Sequence, residues 1–529
     1  MNLEVQNLPD DAPSLKEIIA HQLVEAEKYQ ERIDYLEQMV RLFQKELFGR
    51  KSEKHVLAGP DQLPLFEQPQ QPSSNLAAAE EKIVIGAHER KKPGRKPLPK
   101  DLPRVEVIHD LPDQEKQCEC GARLSCIGQD VCEKLDYIPA KIQVLRHVRL
   151  KYACKKCEGV ESEGPTVKIA PPPVQLIPKS IAGEGLLAHL ITAKVADALP
   201  LYRQQNIFSR LGIDLSRATM AGWVVKAAQE CQPLVDLLQN EIRSGPIINM
   251  DETRLQVLKE PGRRNTSKSY MWVYKGGLPD RPALLYQYHP SRSGDIALAF
   301  LKYYQGYVQS DAFSGYENLS RQKGICHLGC WAHARRNFVN VVKAKKKNRP
   351  GGVQPKSLSD EALEFIGRLY QVEKEARMNN LAPDQIFHLR REKAKPVLDA
   401  FKVWLDAKQA ITPPKGLMGK AIQYTLKNWK KLIVYIEDGR LKPDNNDVEN
   451  AIRPFVLGRK NWLFAGHPNG AHASATFFSL VETAKANGLE PYAYLRYIFE
   501  KLPLVKNNQD YEKLLPQHLS QDELKRHIG

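Results

Sequence analysis

Three acids are set in text that suits a shared site: Asp251 in PIINMDET (246–253), Asp311 in YVQSDAFSGY (307–316) and Glu449 in DNNDVENAIRPFVLGRKNWLF (444–464). In the first two stretches a short apolar run ends on an acid and then meets polar residues or glycine, which is how a sheet presents a carboxylate at a strand end. Glu449, Ile452 and Val456 fall on neighbouring helical turns, a spacing that can bring the Glu449 carboxylate against the sheet edge. Pro454 is expected to kink or end that helix. A few converging carboxylates hold magnesium while leaving positions for water and phosphate oxygens, and two such ions clamp the attacking and leaving oxygens of a phosphoryl displacement. Asp251, Asp311 and Glu449 are therefore read as one magnesium site for metal-assisted phosphoryl transfer.

The elements that must carry these acids can be read around them. PIINMDET, SYMWVYKGG and RPALLYQYHPSRSG read as strands, DIALAFLKYYQ as a helix and YVQSDAF as a further strand. This is a mixed α/β layer with the first acid on strand one and the second on strand four. Past Glu449, residues Arg453, Arg459, Lys460 and Trp462 lie where phosphate clamps and a base-stacking aromatic are useful, although a Trp so placed is more often core. Arg335 and Arg336, in CHLGCWAHARRNF, are candidate phosphate contacts. Cys326, His327, Cys330 and His333 of that stretch could suggest a second zinc site, but no matching second pair lies nearby. The preferred reading is a structural role in which Cys330 and His333 brace the sheet beside Asp311, with a buried thiol and a satisfied histidine as the alternative.

At 529 residues the chain is too long for one ordinary core, so several domains are expected. The net charge is +16, the pI is near 9.2, and Lys and Arg cluster around 41–56, 89–96 and 335–349. That distribution favours a polyanionic partner, most simply nucleic acid, without choosing DNA over RNA. No stretch approaches the eighteen or so continuous apolar residues of a membrane span, and MNLEVQNLPDDAP has neither a basic n-region nor an apolar h-region. The expectation is a cytosolic protein without a membrane partner. Nine cysteines, four of them in two close pairs, then suggest metal ligation before disulfides.

From Leu15 to Leu47 a heptad runs through Ile19, Gln22, Ala26, Tyr29, Ile33, Leu36, Val40 and Phe43. Ile33 and Val40 at one seam position with Leu36 at the other favour a parallel two-stranded coil, and an amphipathic helix packed on its own domain is the alternative. LFGRKSEKH (47–55) could follow phosphates, the Pro/Gln/Ser-rich run 59–75 reads as a linker, and ERKKPGRKPL (89–98) resembles a minor-groove arm or a basic linker. Cys118, Cys120, Cys154 and Cys157 supply four thiolates from two tight turns, the set structural zinc requires, with Cys126 and Cys132 as possible substitutes. After APPPVQLIP the pattern turns helical. LGIDLS, with Gly212 as a stop and Ser216 as an N-cap, resembles the turn of a helix-turn-helix, in which Trp223 and Val224 would be core and Arg217 a DNA contact.

MDET, SDAFSGY, GCWAHARRNF, NNDVENAIRPFVLGRKNWLFAG and LEPYAYLRYIFEKLP, together with the amino-terminal zipper, FGRKSEK and the cysteine pairs, closely resemble the DDE transposases of the insertion sequence 66 family and cover nearly the whole chain in order. The resemblance implies a multidomain α+β protein. Its parts would be a coiled coil (15–50), a basic Pro-rich linker (51–104), a zinc-binding β module (105–170), a helical DNA-binding region (171–244), a ribonuclease-H-like catalytic domain (245–485) with a helical insertion at about 340–443, and a helical tail (486–529). It further implies that Asp251, Asp311 and Glu449 hold two Mg2+ ions, that the cysteine module holds structural Zn2+, and that Cys330 and His333 belong to a Cys-x-x-His signature. The implied activity is cleavage at inverted terminal repeats and strand transfer into target DNA, by a homodimer or larger complex acting at the bacterial nucleoid, with small accessory proteins as possible partners. A ribonuclease-H-like nuclease without strand transfer and a non-catalytic DNA-binding regulator are the other readings.

Overall fold

The computed structural model describes residues 12–48, 142–153, 167–169, 171–311, 313–344 and 356–528. The chain divides into two units, 64–171 and the remainder. In the former, β1 (Lys151–Ala153) and β2 (Val167–Ile169) pair antiparallel with Tyr152 opposite Lys168. The six cysteines considered for zinc, the basic residues 49–55, the linker 59–75 and the arm 89–98 lie outside the described residues.

The larger unit begins with one long helix, α1 (Ala12–Phe48), which spans the predicted heptad. Its seam residues Ile19, Tyr29, Ile33, Leu36, Val40 and Phe43 are exposed on the single chain, while Leu42 on another side is buried. That second side meets the rest of the unit: Arg41 Nε donates to the Ala344 carbonyl at 2.9 Å, and Lys420 Nζ lies 3.9 Å from the centre of the Tyr35 ring.

Four helices follow, α2 (Glu184–Val195), α3 (Leu201–Arg210), α4 (Arg217–Glu230) and α5 (Gln232–Ser244). Gly212, at φ +76°, takes the left-handed conformation that stops α3, and Ser216 caps α4 by accepting from the Thr219 N–H at 3.1 Å. Trp223 and Val224 are buried in the core, as their spacing predicts, and Arg217 is exposed.

The sheet comes next. β3 (Ile247–Gln256), β4 (Lys268–Leu278) and β5 (Arg281–His289) form an antiparallel meander. After α6 (Gly294–Phe300), β6 (Gly306–Gln309) returns to pair parallel with β3, and β7 (Ile325–Leu328) pairs parallel with β6, giving the order β5-β4-β3-β6-β7. Met271, Trp272, Val273 and Tyr274 of β4 are buried on both faces, which is why SYMWVY is a continuous apolar run and not an alternating one.

α7 (Trp331–Ala344) leads into a helical stretch of α8 (Leu358–Met378), α9 (Pro383–Leu389), α10 (Lys395–Ile411), α11 (Leu417–Lys427) and α12 (Trp429–Leu432). It owns a second hydrophobic cluster in which Trp331, Phe338, Phe401 and Ile422 are buried. Arg390 is buried there, paired twice with Glu373 and donating to the carbonyls of Tyr435, Asp438 and Leu441. That is full satisfaction of a buried guanidinium.

The chain then returns to the sheet through α13 (Asn446–Trp462) and α14 (Pro468–Ala486), and ends with α15 (Pro491–Lys501), α16 (Asn508–Glu512) and α17 (Gln521–Ile528). α13 does not end at Pro454. Ala451, Ile452, Phe455 and Gly458 are buried along it, and this packing outweighs the local loss of one backbone hydrogen bond. α14 covers the edge strand β5: the hydroxyls of Ser479 and Thr483 accept from the N–H groups of Tyr286 (2.8 Å) and Leu284 (3.0 Å), and so occupy donors that would otherwise invite another strand.

Candidate active site

Strand alternation separates two adjacent acids. On β3, Asn249, Asp251 and Thr253 alternate with buried Ile248 and Met250. α13 meets the former set: Asn249 Nδ2 donates to Asn445 Oδ1 at 3.0 Å, and Arg459 Nη1 donates to Thr253 Oγ1 at 2.9 Å. Glu252 belongs to the other set, where it is paired with Arg292 and accepts from the Tyr316 hydroxyl.

Asp311 follows β6 by two residues, next to the parallel register Asn249 opposite Gln309. Its Oδ1 accepts from the Phe313 N–H at 3.1 Å, which turns the chain sharply after the strand. Glu449 is in the first turn of α13, where an acid is favoured by the helix dipole. The three acids are electrostatic neighbours. Burial pushes the Asp251 carboxyl up to about 8, and the charges of Glu252, Asp311 and Glu449 push the same way. A carboxyl so disfavoured as an anion is relieved by a bound cation, and an all-oxygen donor set fits magnesium.

A neutral polar network ties these elements together. Asn249 Nδ2 donates also to Gln309 Oε1 (2.9 Å), Asn445 Nδ2 to the Met250 carbonyl (3.0 Å), and Gln309 Nε2 to the Lys442 carbonyl (2.9 Å). It joins β3, β6 and the entry to α13, the three carriers of the acids. The sequence reading missed Asn249, Gln309 and Asn445, as it missed the Glu252–Arg292–Tyr316 group. Asn445 sits in the same NNDVEN string as Glu449, the one signal that could have drawn attention to it.

Around the acids, Arg292 Nη2 lies 3.9 Å from Asp311 Oδ2 while its guanidinium stacks on Phe313, and Arg336 Nη2 lies 3.8 Å from Glu449 Oε2. Cys330 is buried and its Sγ accepts from the Asn445 N–H at 3.2 Å. His333 Nδ1 is 3.7 Å from Glu449 Oε1. Burial, with Arg336 adding to it, holds the His333 imidazole below its ordinary pKa. His327, by contrast, bridges Ser310 and Ser320 and is pushed down to about 3 by burial, and Cys326 is exposed.

The other predicted contacts are dispersed. Arg453 and Lys460 are exposed and Arg335 is half-buried. Trp462 is half-buried, edge-on to Phe455 with Lys194 over its ring at 5.2 Å, a core-flanking position and not an open stacking platform.

Comparison with known proteins supplies the class and then the family. Residues 179–473 match a family described as "Transposase IS66 family", and 479–517 match "IS66 C-terminal element". Residues 35–107 match "Transposase C of IS166 homeodomain", and 115–158 match "zinc-finger binding domain of transposase IS66". The chain belongs to the IS66 family of transposases. Among its relatives in Sinorhizobium fredii, "Uncharacterized protein y4jD" is 35% identical over 81% of this chain and 82% of its own. "Uncharacterized protein y4qI" is 29% identical over 99% of each. Among the described residues no helix is long and apolar enough to cross a membrane.

Proposed function

We propose that the chain is a DNA transposase that cuts at the ends of its element and joins the freed ends to target DNA. The observation that carries the reading is the hydrogen-bond network of Asn249, Gln309 and Asn445, which ties together β3, β6 and the entry to α13, the carriers of Asp251, Asp311 and Glu449. The strand order, with three antiparallel strands and then two parallel ones, supports a ribonuclease-H-like sheet interrupted by a helical insertion before the last acid.

Two magnesium ions bound there would supply the Lewis acidity and charge neutralisation that in-line phosphoryl displacement requires. Asp251, Asp311 and Glu449 would hold them. The Asn249–Gln309–Asn445 network fixes the carriers of the acids without neutralising any carboxylate. Arg336, Arg453 and Lys460, exposed around α7 and α13, are suited to DNA phosphates. Cys118, Cys120, Cys154 and Cys157 would hold structural zinc, and the exposed seam of α1 would pair two copies in the complex that bridges the inverted repeats.

The test is cleavage of DNA carrying the inverted repeats that flank the gene, with magnesium or chelator, beside Asp311→Asn. Metal-dependent nicking at the repeat tips, then joining to a plasmid, is expected from the wild type, and repeat binding without nicking from the variant. Nicking without joining would mark a nuclease. Repeat binding by a wild type that never nicks would favour a regulator.

A further inference from the structure

We propose that Cys330, His333 and Glu449 form a binding site for a zinc-class transition-metal ion, distinct in chemistry from the all-carboxylate magnesium site. Cys330 immediately precedes α7 and His333 lies in its first turn, a three-residue spacing that puts both on one face. Glu449 comes from the first turn of α13. One donor atom from each of the three, a sulfur, a nitrogen and an oxygen, lies within 4.8 Å of the others. The His333 Nδ1 to Glu449 Oε1 separation is 3.7 Å. Zinc bonds of about 2.0–2.3 Å in a tetrahedron imply donor–donor edges of about 3.3–3.8 Å, so one edge already fits and the longest closes by about an ångström.

Two further facts point to a ligand there. His333 Nδ1 and Glu449 Oε1 are both shut off from solvent, and among the described residues neither has a hydrogen-bond partner. They face each other too far apart to bond, and buried polar atoms left this way call for an occupant. The frame is also pre-set: the Asn445 N–H reaches Cys330 Sγ, and the Trp331 N–H donates to the Pro443 carbonyl at 2.9 Å, which pins the start of α7 to the entry of α13. His327 and Cys326 are not part of the site. His327 is engaged by two serines and Cys326 is exposed.

Thiolate and imidazole select zinc over magnesium, and three protein ligands leave one position open, the pattern of a reactive zinc site more than of a closed structural one. The Cys330 proton leaves when the metal binds, as thiol coordination requires. The site stands on these contacts whether or not Glu449 also serves magnesium.

The full-length chain is equilibrated at fixed free zinc and its metal content measured by mass spectrometry, for wild type, Cys330→Ser, His333→Ala and Asp311→Asn. Wild type and Asp311→Asn should carry one zinc per chain more than Cys330→Ser or His333→Ala. Equal content in all four overturns the proposal. Should either variant fail to fold, anomalous diffraction at the zinc edge on wild-type crystals decides: a peak between Cys330 Sγ, His333 Nδ1 and Glu449 Oε1 supports the site, and none there overturns it. Neither measurement uses DNA or magnesium, so absence of cleavage would leave this inference standing, and absence of zinc would leave the transposase reading standing.

Discussion

Replacing Asp251 by asparagine should make the metal-free protein more stable, although the residue is the first of the three proposed metal ligands. Its carboxyl is raised from 3.8 to about 8, by burial first and by Glu252, Asp311 and Glu449 after it. In the native state the group therefore keeps a proton that the unfolded chain has lost at any pH between those values. Stability from this residue is complete below pH 4 and is lost as the pH rises towards 8. Measured at pH 7, the loss is ~1.36 × (7.0 − 3.8), or about 4 kcal/mol, and solvent relaxation around a partly exposed carboxyl reduces it to about 2–4 kcal/mol. Asparagine has no proton to lose. In chelator at pH 8 the Asp251→Asn protein should melt several degrees above wild type, the gap closing towards pH 4. Magnesium should reverse the order, because it binds the ionised wild-type site and stabilises it by mass action. Thermal unfolding of the full chain across pH 4–8.5, with and without magnesium, reads both effects. An Asp251→Asn protein no more stable than wild type at pH 8, with a parallel pH profile, would refute the electrostatic account.

Asn445→Ala removes a donor from the Met250 carbonyl and an acceptor from Asn249, at a cost of about 2–3 kcal/mol. It should slow cleavage far more than it weakens binding to the repeats, as single-turnover rates and DNA titrations would show. Arg292→Ala leaves the almost fully buried Glu252 side chain without its cation. Because Arg292 is itself about one-third exposed, chemical denaturation should show a loss of only about 1–2 kcal/mol, larger at pH 8 than at pH 5, where Glu252 can take up a proton. The pair Ile33→Asp and Val40→Asp changes side chains that are 49% and 53% exposed in the single chain, so sedimentation should show a smaller assembly while the melting of the catalytic unit stays put.

What could be read from the sequence was whatever has a period or a punctuation mark. The strands around Asp251 and Asp311, the stop at Gly212, the cap at Ser216 and the burial of Trp223 and Val224 all follow from alternation, helical spacing or turn chemistry within a dozen residues. Pro454 shows the limit of such local rules. Proline disfavours a helix interior, yet Ile452 and Phe455 on either side are buried, and the tertiary contacts keep α13 whole. Trp462 shows another: an aromatic among basic residues reads equally as a stacking platform or as packing, and only the positions of Phe455 and Lys194 place it beside the core.

The partners of the acids were beyond local reach, because Asn249 and Asn445 are 196 residues apart and neutral amides carry no periodic signal. Yet the partners separate acids of the same type by role. Glu252 has Arg292, and Asp447 has Lys275 at 3.7 Å and Lys442 at 2.7 Å, so both are compensated. Among the described residues Asp251 has only the Glu252 N–H at 2.8 Å, and its charge is left for something else to balance. Acids that repel one another must still be held in range. A lysine bridge would do so by cancelling the negative potential a cation needs, whereas the amides of Asn249, Gln309 and Asn445 hold β3, β6 and α13 together and leave that potential intact. On this argument a neutral network beneath an acid with no cation beside it, Asp251, marks a metal centre better than the acids themselves do, and Asn445, four residues before Glu449, is where that network meets the third acid.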